Sequence, residues 1–165
     1  MSKLLSKISS YNILNNLVPG FMYYYFMDIF FHIKLISDDT VLKFFFFYFI
    51  GICISRIGSL IIEPILKIIH FTIPFNHTNY INASMKDSKI EVLYEINNSY
   101  RTIIALFVFI LISYIYNYGF TNISFSYPFD IILFGFILFM FSYRKQSNYI
   151  HNRVSIALQD EKTIS

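Results

Sequence analysis

Residues 102–129, TIIALFVFILISYIYNYGFTNISFSYPF, carry no formal charge. The run is longer than the roughly 18 apolar residues that indicate a membrane-spanning helix. The rest of the chain has the same character, since 56% of its residues are hydrophobic and 14% are charged. Ordinary soluble domains are about a quarter charged. The sequence therefore predicts an integral membrane protein.

Three further apolar stretches resemble the first, so we predict an all-α membrane protein with four transmembrane helices. Pro128 and Asp130 fall in the first turns of the last stretch, where a proline and an acid suit a helix start. The predicted span at 17–35 contains the ionisable residues Asp28 and His32, so a re-entrant or interfacial helix is the alternative for this segment. The predicted spans are 17–35, 42–66, 102–120 and 125–143, with a cytoplasmic connector at 67–101 and a cytoplasmic tail at 144–165.

The distribution of lysine and arginine predicts the orientation of these spans. Basic residues occur in segments 1–16, 67–101 and 144–165, whereas the connections at 37–41 and 118–126 contain none. Cytoplasmic loops carry the excess of basic residues in multi-span proteins. All three basic segments then lie on one side, which predicts both termini in the cytoplasm and two short external turns.

Five ionisable or polar residues of the first two spans are predicted to form one intramembrane polar seam: Asp28, His32, Arg56, Ser59 and Glu63. A lone charge near the bilayer centre costs at least about 2.5–3.5 kcal/mol. Pairing of Asp28 with Arg56 across an antiparallel hairpin would offset most of that cost. The seam either holds the helices together or lines a hydrated path, and the sequence leaves both readings open.

The second span also carries small residues at four-residue spacing, Gly51, Ser55 and Ser59. Such spacing permits close approach of a neighbouring helix. The second span is therefore predicted to pack centrally. Spans three and four contain bulky side chains and no inward charge, so we expect them to face lipid.

The connector has helical periodicity from Tyr80 to Arg101 and is not interrupted by proline or glycine. We expect this helix to run directly into span three. It is predicted to contact another copy or a soluble cytoplasmic protein, and a solvated connector is the alternative. The residues that recur on its contact face are Ile90, Leu93, Tyr94, Asn97 and Arg101.

No arrangement typical of an enzyme is evident. Ser55 and Ser59 lie in the second span without a Gly-x-Ser motif, and His32 is displaced from them. Asp28 and Asp130 belong to different spans at different depths, which does not suit a paired-aspartate site. We predict that the protein is not an enzyme.

No cofactor or metal site is expected either. His70 and His77 have no cysteine nearby, and Cys53 is the single cysteine of the chain. The chain contains no glycine-rich phosphate loop and no basic cluster, and its net charge is only +3. Direct nucleic-acid binding is therefore not expected.

Four short segments resemble small multi-span bacterial membrane proteins linked to anti-phage defence. They are residues 15–20 (NNLVPG), 55–64 (SRIGSLIIEP), 87–91 (DSKIE) and 97–101 (NNSYR), within the first two-thirds of the chain. Such proteins occur beside nucleotide-signalling, retron, CRISPR and Kiwa-type partners. The resemblance implies an effector that perturbs the inner membrane, or anchors a soluble partner there, once infection is sensed.

Three functions follow as hypotheses. The first is a homo-oligomeric inner-membrane effector or pore, because one copy is too small to enclose a conduit. The second is a membrane anchor that recruits a cytoplasmic partner through residues 80–101 and the tail. The third is a small proton-coupled transporter with Asp28 as the carrier. A permanently charged Arg56 beside Asp28 would hold that carboxyl ionised, which argues against this hypothesis.

Overall fold

The computed structural model describes residues 10–32, 39–73, 76–118 and 127–159. Within these residues the chain is all-helical and contains no strand. The predicted span ends at 33–35, 119–120 and 125–126, and the tail residues 160–165, lie outside the described residues. The five helices are α1 (Ser10–Phe31), α2 (Thr40–Ile68), α3 (His77–Lys86), α4 (Lys89–Tyr118) and α5 (Tyr127–Gln159).

Side-chain caps fix the beginnings of two helices. Asp39 accepts hydrogen bonds from the backbone N–H groups of Val41 and Leu42, at 2.9 and 3.2 Å, and so caps α2. Asn76 accepts one from Thr78 at 2.9 Å and caps α3. These bonds satisfy backbone donors that have no partner inside a helix.

Helix α2 contains one π-helical turn at Gly58–Ile62. Pro64 follows one residue after this turn and has no backbone N–H for the normal bond to the residue four positions earlier. The Glu63 N–H instead bonds to the Gly58 carbonyl, five residues back. The insertion lets the helix continue past the proline and sets the direction in which Glu63 points.

The end of α2 is closed by a left-handed residue, His70, with φ 54°. The His70 N–H bonds to the Lys67 carbonyl, and the Phe71 N–H bonds to the Leu66 carbonyl at 2.9 Å. This pair of bonds is a Schellman motif. It turns the chain towards α3.

Four helical segments that overlap the predicted spans pack into an apolar bundle: α1, α2, residues 102–118 of α4 and residues 127–143 of α5. Helix α4 is its central helix and contacts α1, α2 and α5. The expectation that span three faces lipid is wrong, because short and bulky side chains of α4 interlock with three neighbours. The buried core is Ile54, Ala105, Leu106, Phe107, Ile110 and Ile132.

Beyond the apolar bundle, α3, residues 89–101 of α4 and residues 144–159 of α5 form a polar module. Its core is Ala83, Ile90, Ile150 and Val154. The connector is not one helix from Tyr80, since α3 ends at Lys86 and α4 begins at Lys89. From Lys89 onwards, however, α4 runs unbroken into the apolar bundle.

Among the described residues, two helices are long and apolar enough to cross a membrane, Thr40–Ile68 and Lys89–Asn117. Only 17% of the most apolar window of α2 is buried inside the chain, and 39% of that of α4. The core helix of a soluble protein would be mostly buried. These helices therefore favour association with a membrane, while four spans and their orientation stay a prediction.

Candidate functional site

Charged side chains meet where the apolar bundle joins the polar module. Glu63 of α2 pairs with Arg101 of α4 and also accepts a hydrogen bond from Lys67 at 2.6 Å. The side chains of Glu63 and Arg101 are 21% and 12% exposed, whereas that of Lys67 is 45% exposed. The inner pair is thus largely removed from solvent, and the outer partner is not.

Asn97 of α4 and Tyr143 of α5 complete this polar level. We call the five residues that form it the junction layer: Glu63, Lys67, Asn97, Arg101 and Tyr143. Asn97 is 3% exposed and Tyr143 is also 3% exposed. The Asn97 side chain lies within hydrogen-bonding reach of the Tyr143 hydroxyl. Three helices therefore contribute to one polar layer across the chain.

Two buried polar atoms of the junction layer have no partner in the described structure, Nε of Arg101 and Oδ1 of Asn97. One is a donor and the other an acceptor, and their residues are one helical turn apart on α4. A buried polar group without a hydrogen bond costs free energy. The arrangement suits a buried water molecule that accepts from Arg101 and donates to Asn97.

The structure does not bring the predicted seam together. Gly20 and Gly51 lie against each other where α1 crosses α2. Asp28 is eight residues beyond Gly20, and Arg56 is five residues beyond Gly51 in the opposite direction. At 1.5 Å per residue the two charges are about 20 Å apart along the hairpin. The predicted Asp28–Arg56 pairing is therefore wrong, and among the described residues Asp28 forms no ion pair.

The other seam residues are likewise dispersed. His32 follows the end of α1 with φ 54° and is exposed. The Ser59 hydroxyl donates to the backbone carbonyl of Arg56 at 2.9 Å, so it belongs to the helix itself. Glu63 alone of the five has charged partners among the described residues, and those partners are Arg101 and Lys67.

The face predicted to contact a partner is covered by the chain itself. Ile90 is fully buried against Ile150 and Val154 of α5, with Leu93 packed alongside. The Leu93 carbonyl also accepts a hydrogen bond from the Gln146 side chain at 3.1 Å. The Tyr94 ring packs at a tilt against that of Tyr80 of α3, while Asn97 and Arg101 belong to the junction layer. This face is therefore covered by the chain's own helices, by α5 at Ile90, by α3 at Tyr94 and by α2 at Arg101.

The predicted small-residue face divides between two neighbours. Gly51 lies against the backbone of Asn16 in α1. Ser55 lies on the side of α4, with its hydroxyl 3.4 Å from that of Thr102. Small residues at these two positions therefore let α2 approach both α1 and α4.

Arg56 lies on the opposite side of α2 from these contacts and is exposed. We call the exposed stripe Phe45, Phe49, Cys53, Arg56 and Leu60 the outer face of α2. Phe45, Phe49 and Leu60 are 65%, 64% and 73% exposed, and Cys53 is also exposed. Within the described residues the Arg56 side chain has no ion-pair or hydrogen-bond partner. The outer face is therefore an apolar surface that contains one unpaired cation.

Asp87 holds the three helices of the polar module together. One carboxylate oxygen accepts the Lys89 backbone N–H at 3.1 Å at the start of α4, and the other accepts Nε of Arg153 of α5 at 2.6 Å. The Arg153 hydrogen bond holds the pKa of Asp87 below its ordinary value, and the Lys89 bond lowers the pKa further. The residue itself closes the C-terminus of α3.

We expect the stability contribution of Asp87 to disappear in acid. The folded-state pKa lies below the unfolded value of about 3.9, so the contribution is complete above that pH and is lost as pH falls through the folded pKa. Chemical unfolding of the wild type and of Asp87→Asn, at neutral pH and near pH 3, measures it. The difference between the two proteins should shrink in acid, and an unchanged difference would refute the clamp.

The sequence missed the Glu63–Arg101 pair, although a signal for it existed. Glu63 lies three residues before the end of the second predicted span, and Arg101 directly precedes the third. Residues at the two ends of one connector lie at the same end of a helical bundle, so an acid and a base there are natural partners. Arg101 was assigned instead to the connector face, and Glu63 to the seam.

Comparisons with protein-family models, with curated proteins and with solved structures found no match to this chain. In residues 10–32, 39–73, 76–118 and 127–159, no group of three His, Cys, Asp or Glu side chains is placed to hold a metal ion. Interpretation of the site therefore rests on its own geometry.

Proposed function

We propose that the chain is a four-span inner-membrane protein, with both termini in the cytoplasm, that acts as a homo-oligomeric effector. Copies would assemble through the outer face of α2 around a hydrated path and so perturb the membrane. The resemblance to small membrane proteins of anti-phage defence supports infection as the trigger. The polar module, with its basic residues, would lie on the cytoplasmic side.

The observation that carries the proposal is Arg56. It is an exposed, unpaired cation in an apolar stripe, seven residues from Glu63 in the junction layer and thus roughly 10 Å deeper along α2. A lone arginine in lipid is costly. Two such cations placed face to face would repel each other. A hydrated path between several copies keeps each cation solvated and apart from the others.

The interface between α4 and α5 is closely packed at the level of Phe107, which supports a path between copies rather than within one. The Phe107 ring occupies the space above Gly135, where even a Cβ atom would collide with it. Phe107 also packs against Phe139, with ring centroids 5.9 Å apart. Interlocked aromatic rings of this kind leave no room for water between α4 and α5 at that level.

We expect Arg56→Ala to reduce leakage of a small anionic dye from liposomes at least tenfold, while Arg56→Lys retains it. The reason is that a ring of cations lowers the barrier to anions in an otherwise apolar path. Ile137→Ala, which changes an exposed apolar residue of α5, is the matched control for insertion. Full leakage from correctly inserted Arg56→Ala would contradict the proposal.

The single native cysteine offers a direct test of assembly. Cys53 is exposed on the outer face of α2, one turn from Arg56. Oxidation of membranes should therefore cross-link copies through Cys53. A Cys53→Ser chain with cysteine introduced at Ile137 is the control and should stay monomeric. Cross-linking of the control alone would place the contact on α5 and overturn the proposed assembly surface.

A membrane anchor for a soluble partner is the second candidate, favoured by the surface of the polar module. A cavity of about 380 Å³ opens between α3 and α5, bordered by Ile156, Lys86 and Arg153. Ile156 is 60% exposed and Met85 of α3 is 80% exposed. If the chain is only an anchor, the wild-type protein should cause no leakage from liposomes. The liposome experiment therefore separates the two candidates.

A further inference from the structure

A polar cavity of about 470 Å³ lies beside α5 at the level of the junction layer and just beyond it. Most of its lining residues recur at three- and four-residue spacing on one face of α5, and α4 contributes one tyrosine. The lining consists of Tyr100, Ser142, Lys145, Gln146, Asn148, Tyr149 and Asn152.

The cavity is electropositive. Its lining contains one cation, Lys145, and no acid. The Tyr149 hydroxyl also lies within hydrogen-bonding reach of Arg153, whose charge is paired with Asp87, so Lys145 is the cation of the lining that is available to a ligand. In the described structure the side chains of Lys145 and Asn148 have no hydrogen-bond partner. Donors are thus available for a ligand that carries negative charge.

An apolar stripe continues from the cavity along the same face of α5 into the apolar bundle. Leu138 precedes Ser142 by four residues, Phe134 precedes Leu138 by four, and Ile131 precedes Leu138 by seven. These spacings place the three side chains in line with the cavity. Leu138, Phe134 and Ile131 are 50%, 68% and 64% exposed, so the part of the chain that the structure describes leaves at least half of each residue uncovered.

We propose that this cavity binds the headgroup of an anionic phospholipid, with an acyl chain along Leu138, Phe134 and Ile131. The inference rests on the membrane placement given under Proposed function. The Lys145 ammonium would pair with the phosphate, and the amides of Asn148 and Asn152 would donate to headgroup oxygens. Basic pockets beside membrane helices on the cytoplasmic side suit such headgroups.

Two features favour a lipid over an acidic segment of a soluble protein. The ligand must be amphiphilic, because the electropositive cavity and the apolar stripe share one face. Tyr100 and Tyr149 also stand at the level where the apolar surface ends, as tyrosines do at membrane interfaces. A soluble acidic peptide would use the cavity and leave the stripe exposed.

The test uses the full chain in detergent with three probes: short-chain phosphatidylglycerol, phosphatidylcholine of equal chain length, and glycerol phosphate. Phosphatidylglycerol should bind, measured by native mass spectrometry, and the other two should bind weakly. Lys145→Ala should weaken phosphatidylglycerol binding about fivefold. Arg144→Ala is the matched control, since this neighbouring cation lies over the Phe71 ring, 5.3 Å from its centroid, outside the cavity lining.

Equal binding of the two lipids, or unchanged binding by Lys145→Ala, would overturn the inference. Glycerol phosphate binding as tightly as the lipid would show a phosphate site without a lipid and would overturn it as well. Leu138→Asn should weaken the binding of phosphatidylglycerol but not that of glycerol phosphate. Unchanged phosphatidylglycerol binding by this variant would show that the acyl chain does not lie along the apolar stripe. Membrane fractionation and the leakage experiment test the proposed function without measuring lipid binding. Failure of the lipid site and failure of the proposed function can therefore be told apart.

Discussion

Replacement of Glu63 by alanine is expected to lower the free energy of unfolding by about 3 kcal/mol. The change leaves the Arg101 guanidinium, which is 12% exposed, without its counter-charge. Removal of one partner of a largely buried pair is more costly than loss of an exposed pair, because the remaining charge stays desolvated. In a chain of this size the thermal midpoint should fall by roughly 10 °C.

Thermal unfolding in detergent, followed by circular dichroism, measures this effect. Lys67→Ala is the matched control, since Lys67 bonds to the same carboxylate but is 45% exposed. Its loss should cost no more than about 1 kcal/mol. The exchange Glu63→Arg with Arg101→Glu should recover part of the lost stability. Equal midpoints for Glu63→Ala and Lys67→Ala would show that the inner pair contributes no more than the outer one.

The helical class of the chain could be predicted from the sequence because it depends on local properties. The uncharged run at 102–129 is long enough for a span, and the periodicity of residues 89–101 is visible without neighbours. The structure has helices at both places, joined in α4. The break at Asp87 is not visible in the sequence because no glycine or proline marks it. There the Asp87 backbone N–H bonds to the Ala83 carbonyl at the end of α3, and its side chain accepts the Lys89 N–H at the start of α4.

The pairing of charges could not be predicted because it depends on where each helix begins. The first span was placed from Leu17, whereas α1 begins at Ser10. That difference of seven residues is about two turns, and it changes which residues of α2 lie opposite Asp28. Sequence periodicity assigns residues to a helix face but does not fix the height of one helix against another.

The central position of α4 also depends on tertiary packing. Residues 102–118 contain bulky side chains, and such a helix suits lipid and a buried core equally well on composition alone. In the structure, the small residues of this segment are at the contact with α2. Ala105 is fully buried, and its Cβ lies 3.4 Å from the position that a Cβ on Gly58 of α2 would take. In the proposed membrane placement, α2 rather than α4 presents the larger apolar surface to its surroundings.

A larger effect than that of Glu63 is expected when Gly51 is replaced, because α1 and α2 meet there through their backbones. A Cβ on Gly51 would collide with the Asn16 carbonyl group and lie 3.1 Å from the Asn16 Cα. A Cβ on Gly20 would likewise collide with the Phe47 carbonyl and lie 2.9 Å from the Gly51 nitrogen. Backbone atoms inside helices cannot rotate away, so the whole helices must separate.

Gly51→Leu should therefore unfold the α1–α2 hairpin, and Gly51→Ala should destabilise the chain by at least about 3 kcal/mol, at the upper end of overpacking costs. Gly58→Ala is the control on the same helix, since its Cβ would meet Ala105 at an ordinary 3.4 Å. Protease protection of α1 in membranes and the thermal midpoint in detergent report the two effects. If Gly51→Ala and Gly58→Ala unfold together at the wild-type midpoint, the close crossing of α1 and α2 is absent from the folded protein. If only Gly51→Ala has a lower thermal midpoint, the close crossing of α1 and α2 is what positions α1 against the central helix α4. The Tyr23–Ser113 hydrogen bond between α1 and α4 then depends on that crossing.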